Sequence, residues 1–134
     1  MQTSYRPEQM RVYYYLLQKF PNEDIRLEYI VKNLKAFDGI NLSFTYKRPI
    51  LDIALFLPNL KVAIRLMGEI HRKSKRYKIR DEDQSLVLGW NGWKVIDMWY
   101  DMMPLLWSGK EGYESEIEDI LRENKIIKQT WQTK

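Results

Sequence analysis

Two apolar runs, Ile50 to Leu57 and Leu60 to Met67, are separated only by Pro58-Asn59. No other stretch constrains the fold as much. Apolar, β-branched runs of this length, broken by a turn dipeptide, read as an antiparallel strand pair. The first run carries one carboxylate, Asp52, in otherwise apolar surroundings, where a lone charge is costly to bury and needs a partner. The second leads into Gly68-Glu69-Ile70-His71 and then a basic segment. Beyond it the pattern predicts a helix from about Lys75 to Gly89, with Ile79, Leu86, Val87 and Trp90 on its apolar face, and a closing strand from Trp93 to Tyr100. An acid on one strand, facing an acid and an imidazole at the end of the next, is how a metal site is assembled.

The flanks complete the order of elements. Pro7 suits the first turn of a helix, Glu8 suits its positive end, and Pro21 stops it. Met10, Tyr13, Tyr14, Leu17 and Phe20 recur at helical spacing along it, and the triplet Tyr13-Tyr14-Tyr15 must leave at least one ring exposed. Ile25, Leu27, Tyr29 and Val31 alternate with Arg26, Glu28 and Ile30 as a half-buried strand would. In the insert that follows, Asp38-Gly39 marks a turn, and Leu42, Phe44 and Tyr46 suggest a short strand. Pro104 to Gly112 reads as a loop, on which Leu106 and Trp107 offer an apolar contact for a homodimer or a larger assembly. A last helix spans Tyr113 to Lys125, acidic early and basic late as the helix dipole prefers, and Trp131 lies in the tail beyond it. Helix, strand, insert, two strands, helix, strand, helix makes an α+β fold: a small mixed β-sheet flanked by helices.

At 134 residues the chain builds one core, and therefore one domain. No apolar run approaches the ~20 residues that span a bilayer, and the N-terminus lacks a signal-peptide pattern. The absence of cysteine excludes disulfides, zinc-thiolate sites and thiol nucleophiles, and suits a cytoplasmic protein that makes no membrane contact, whether of cellular, viral or mobile-element origin. The net charge of +4 is modest, but its placement is not. Arg72, Lys73, Lys75, Arg76, Lys78 and Arg80 crowd into residues 71–80. Such a run is either a solvated helix face or a surface for a polyanion, with DNA, or RNA, as the obvious partner.

Each candidate has two readings. Asp52 is either a metal ligand or one half of a structural salt bridge to Arg65 across the hairpin. His71, the sole histidine, is either a structural side chain or a ligand or base working beside Glu69. Glu8 either orients a ligand or water, or only complements the helix dipole. Trp90, Trp93 and Trp99 read as core.

Taken in order, Glu8 on the first helix, Asp52 on the second core strand, Gly68 with His71 three residues on, Asp81 after Arg80, and Gly92-Trp93 before the last strand form a pattern. It resembles the PD-(D/E)XK nuclease superfamily, in particular the very-short-patch repair endonucleases and the related homing enzymes described by an E-D-x-H-D motif. The resemblance covers about residues 5–100, leaving a C-terminal loop and helix over 101–134. It implies a restriction-endonuclease-like αβββαβ core and magnesium- or manganese-dependent hydrolysis of DNA phosphodiesters. In that reading Asp52 and Glu69 are metal ligands, and Glu8, His71 and Asp81 complete the catalytic set. Lys73, Lys75, Arg76, Lys78, Arg72 and Arg80 hold the nucleic-acid backbone.

One departure stands out. Such nucleases usually place an acid on the third strand, two residues ahead of a lysine or another polar group, and here those positions are Arg65 and Met67. Arginine repels a divalent cation, and a thioether is a poor ligand for magnesium. If the strand continues past Gly68, Glu69 and His71 share the face of Arg65 and Met67 and replace the missing pair. If not, the chain is an inactive nuclease-fold module that binds nucleic acid or serves in an assembly. A domain devoted only to protein contacts would leave the basic run unused.

Overall fold

The computed structural model describes residues 6–32, 49–68, 71, 73–99 and 110–127. The insert with Asp38-Gly39 and Leu42, Phe44 and Tyr46, the loop bearing Leu106 and Trp107, and Glu69, Arg72, Tyr100 and Trp131 lie outside the described residues. The elements run α1 (Pro7–Lys19), β1 (Asp24–Ile30), β2 (Ile50–Leu57), β3 (Leu60–Met67), α2 (Lys75–Trp90), β4 (Trp93–Trp99) and α3 (Lys110–Glu123). The expected α+β class and the order of elements hold. Among the described residues no helix is long and apolar enough to cross a membrane.

The sheet is mixed, in the order β1-β2-β3-β4. Pro58-Asn59 joins β2 to β3 as an antiparallel hairpin, and β3 pairs with β4 in parallel, so α2 is the crossover between them. Ser74 starts α2 by accepting the Tyr77 N–H on its hydroxyl. Two clusters sit on opposite faces of the sheet. On one, Ile53, Leu55, Val62, Ile64, Leu66, Ile96 and Met98 pack with Val12, Tyr15 and Leu16 of α1 and with Ile117 and Leu121 of α3. On the other, Leu51, Ala54, Ala63, Trp93 and Val31 pack with Leu88 of α2.

Three patterns differ from those read in the sequence. The buried stripe of α1 is Glu8, Gln9, Val12, Tyr15 and Leu16. Tyr14 and Leu17 face out instead, because this helix has more apolar residues than one stripe can hold. On α2 only Val87 and Leu88 are buried, while Ile79, Leu86 and Trp90 are exposed. Trp93 is core as expected; Trp90, 64% exposed, is not. Finally, the alternation of β1 is real but does not keep to one face. Ile25 and Leu27 pack towards α1, whereas Tyr29 packs with Val31 on the α2 side.

Strand β2 makes the same change, since Leu51 belongs to the α2 face and Ile53 to the α1 face. Both strands thus switch face at one level. There Glu28 adopts φ 48°, and the pairing steps from Leu27↔Ile53 to Tyr29↔Leu51 without a Glu28–Asp52 pair. A left-handed non-glycine residue stores on the order of 1 kcal/mol or more. That strain persists where packing on both faces fixes the switch.

α1 and α3 are also joined by polar contacts. Glu118 accepts from the Tyr15 hydroxyl at 3.3 Å and pairs with Lys19 at 3.5 Å and Arg122 at 2.9 Å. Burial, and then the charge of Glu118, push the Tyr15 hydroxyl from its ordinary 10.0 up to about 12. The folded state therefore holds this proton more tightly than the unfolded chain does. Its contribution to stability is complete below pH 10 and is lost as the pH rises through about 12. Urea melts of the wild type and Tyr15→Phe between pH 9 and pH 11.5 should show the steeper loss in the wild type; parallel curves would remove the linkage.

Candidate active site

Asp52 occupies the level at which the sheet opens. The β2–β3 ladder ends at Ile53↔Ile64, one pair short of Asp52 and Arg65. In place of a backbone partner, Leu66 N–H donates to Asp52 Oδ2 at 2.7 Å. Asp52 Oδ1 accepts from Arg6 Nη2 at 3.1 Å, and Gln9 Nε2 donates to the Asp52 carbonyl at 2.9 Å. Arg6 also lies 3.8 Å from Glu8, a carboxylate that is only 6% exposed. Two carboxylates from α1 and β2 thus converge on one cation, the guanidinium of Arg6. The expected Asp52–Arg65 pair does not form, because Arg65 projects towards α2 whereas Asp52 turns at the face switch towards β3 and α1.

Arg65 has other partners. Nε and Nη2 donate to the two oxygens of Asp97 at 2.6 and 2.9 Å, a bidentate pair. Nη1 donates to the Asp81 carbonyl at 2.9 Å and to Gln84 Oε1 at 3.1 Å. At 6% exposure this guanidinium is buried and satisfied, and it fastens α2 to β3 and β4. It therefore cannot stand in for an acid at this position.

The third strand ends at Met67, so His71 is not on its continuation as supposed. The His71 N–H donates to the Gly68 carbonyl at 3.1 Å, which turns the chain back over the end of β3. That turn brings His71 Nδ1 within 2.7 Å of Asp81 Oδ2, with the Tyr77 ring edge-on at 5.2 Å. A carboxylate only accepts, so Nδ1 carries the proton and Nε2 is left to take or give one. His71 and Asp81 line a cleft of about 250 Å³ together with Arg65, Met67, Lys78, Glu82, Ser85, Asp97 and Trp99. Asp97, Gln84 and Ser85 had no place in the sequence reading. Only the i+4 spacing of Asp81 and Ser85 hinted at a polar inner face on α2.

Of the residues singled out in the sequence, the fold joins Glu8 to Asp52 through Arg6, and His71 to Asp81 directly. The first group lies on the α1 side, where the Leu66 N–H holds Asp52, and the second lines the cleft on the α2 side with Arg65 and Met67. Lys73, Lys75, Arg76, Lys78 and Arg80 are all exposed, and of these Lys78 lines the cleft. Among the described residues no three His, Asp or Glu side chains gather as a metal cluster. Glu8 and Asp52 instead share the guanidinium of Arg6.

Removing one partner of a buried pair costs about 3–5 kcal/mol. Asp97 is 30% exposed, so Arg65→Met is expected to cost less, about 2–3 kcal/mol. A double-mutant cycle with Asp97→Asn should give a coupling above ~1 kcal/mol in urea melts; additive losses would show that the two side chains act separately. In comparisons with protein-family models, with curated proteins and with solved structures, nothing matches this chain.

Proposed function

We propose that this chain is a metal-dependent DNA endonuclease with a restriction-endonuclease-like core. The observation that carries the reading is the His71–Asp81 pair, 2.7 Å apart in a cleft at the end of β3, the strand whose Leu66 N–H also holds Asp52 of β2. Resemblance to the E-D-x-H-D pattern supports it, because the fold links Glu8 to Asp52 through Arg6 and His71 directly to Asp81. Asp52, with Glu8 and with Glu69 beyond the described residues, would hold a magnesium or manganese ion. When bound, that ion would polarise the scissile phosphate and acidify an attacking water.

The remaining chemistry belongs to the chain itself. Asp81 fixes the His71 tautomer, and Nε2 takes the proton of the attacking water or returns one to the leaving oxygen. Lys78 at the cleft, with Lys73, Lys75, Arg76 and Arg80 alongside, neutralises the phosphates that flank the scissile bond. Arg65 braces the cleft wall through Asp97 and the carbonyl of Asp81.

A second reading keeps the fold and the DNA but not the reaction. It is favoured by Arg65, a buried cation committed to Asp97 at the strand position where such nucleases carry an acid. In this reading the chain is an inactive nuclease-fold module that binds nucleic acid.

Cleavage of supercoiled plasmid in magnesium and in manganese separates the two. His71→Ala is expected to slow nicking by about 10²–10⁴-fold, and Asp52→Asn to abolish it while binding persists. A wild type that binds DNA yet never cuts it, with either metal, establishes the second reading.

DNA binding has its own test. The logarithm of affinity should fall linearly with the logarithm of salt, with slope ~−0.9 per phosphate contact on duplex. Replacing Lys73, Lys75, Arg76 and Lys78 with alanine should weaken binding and flatten that slope; an unchanged slope would reduce the run to a solvated surface.

A further inference from the structure

A second cavity, of about 690 Å³, opens on the α2 face at the opposite end of β3. Lys61 and Trp93 pair at the start of β3 and β4, and Met67 and Trp99 pair at the far end. Six residues at ~3.3 Å each put ~20 Å between this cavity and the His71–Asp81 cleft. Its size lies within the range of about 300–1,000 Å³ typical of small-molecule sites.

The wall is aromatic. Tyr29, Phe56 and Trp93 pack against one another with ring centroids 5.3 to 6.0 Å apart. Trp93 is buried at the back, while Tyr29 and Phe56 are half-exposed. Cations sit against these rings: Lys61 Nζ lies 5.0 Å from the Trp93 centroid, and Arg26 Cζ lies 6.0 Å from that of Tyr29. The Arg26 charge is shared with Asp24, whose two oxygens it meets at 3.1 and 3.2 Å. Lys32 and Lys61 have no carboxylate partner among the described residues, and Glu28 is the one acid among the described lining residues. The Lys61 ammonium also donates to the Asn91 carbonyl at 3.3 Å, and the cavity joins an aromatic wall to a rim on which cations outnumber the one acid.

That combination selects for ligand chemistry. An apolar ligand would leave the lysines facing it without counter-charge, and a bare anion would leave the rings uncovered. A molecule with one π-face and one phosphate satisfies both. We propose that this cavity binds a nucleoside monophosphate, with the base against Tyr29 and Phe56 and the phosphate between Lys61 and Lys32. The ligand is either a free nucleotide or one unit of a single strand. The proposal does not rest on the endonuclease reading, since none of these residues lines the His71–Asp81 cleft.

Calorimetric titration of the full chain tests it. dAMP should bind at least about tenfold more tightly than deoxyadenosine or inorganic phosphate. Lys61→Ala, an exposed change, should weaken dAMP at least about tenfold, Lys61→Arg should restore most of that loss, and His71→Ala should change nothing. Tyr29→Leu should weaken dAMP and deoxyadenosine alike, as a stacking contact would. A tetranucleotide that binds far more tightly than dAMP identifies a strand unit as the ligand, and equal affinity identifies the free nucleotide; both support the site. No heat with dAMP at about 5 mM, or binding that survives Lys61→Ala and disappears in His71→Ala, overturns it.

Discussion

One buried guanidinium determines how the crossover helix lies on the sheet. Arg65 donates to β4 through Asp97, and to α2 through the Asp81 carbonyl and the Gln84 side chain. The helix adds only two buried apolar residues, Val87 and Leu88 near its C-terminal end, so its N-terminal half is held by polar bonds. A hydrophobic stripe would permit sliding by part of a turn at little cost. A bidentate pair together with a backbone carbonyl does not, because each bond has its own direction. Fixing Asp81 in this way also fixes the carboxylate that holds His71.

This dependence explains which parts of the fold were legible in the sequence. The strand pair around Pro58-Asn59, the helix after Ser74 and the closing strand at Trp93 follow from periodicity and turn chemistry, which are local. The inner face of α2 is not local. Gln84 and the backbone of Asp81 show no inward role until Arg65, some twenty positions earlier in the chain, supplies their partner. The same is true of α1, where apolar residues outnumber the places in one stripe and the sheet decides between Leu16 and Leu17.

The candidate residues divide along similar lines. Asp52 was conspicuous as a charge within an apolar run, and it has the partner that such burial demands, though that partner is Arg6 and not Arg65. The family resemblance set His71 and Asp81 in one catalytic group, but their pairing was not foreseen, because it depends on a turn at Gly68 that strand alternation does not show. The face switch at Glu28 and Asp52 left no sequence signal, since both strands keep a plausible alternation on either side of it. What marks it in three dimensions is the positive φ of Glu28, a skipped pair in the β1–β2 ladder and the end of the β2–β3 ladder at Ile53.

That switch has a further consequence at the margin of the sheet. Among the described residues β1 is an edge strand, and its outer row of amide and carbonyl groups is a template on which another chain could add a strand. A continuous seven-residue edge would present that template in register. The left-handed turn at Glu28 cuts it into two shorter pieces aimed in different directions, and Asp24, Arg26 and Glu28 line it with charge. The distortion that points a carboxylate at the end of β3 thereby also protects the molecule against edge-to-edge aggregation.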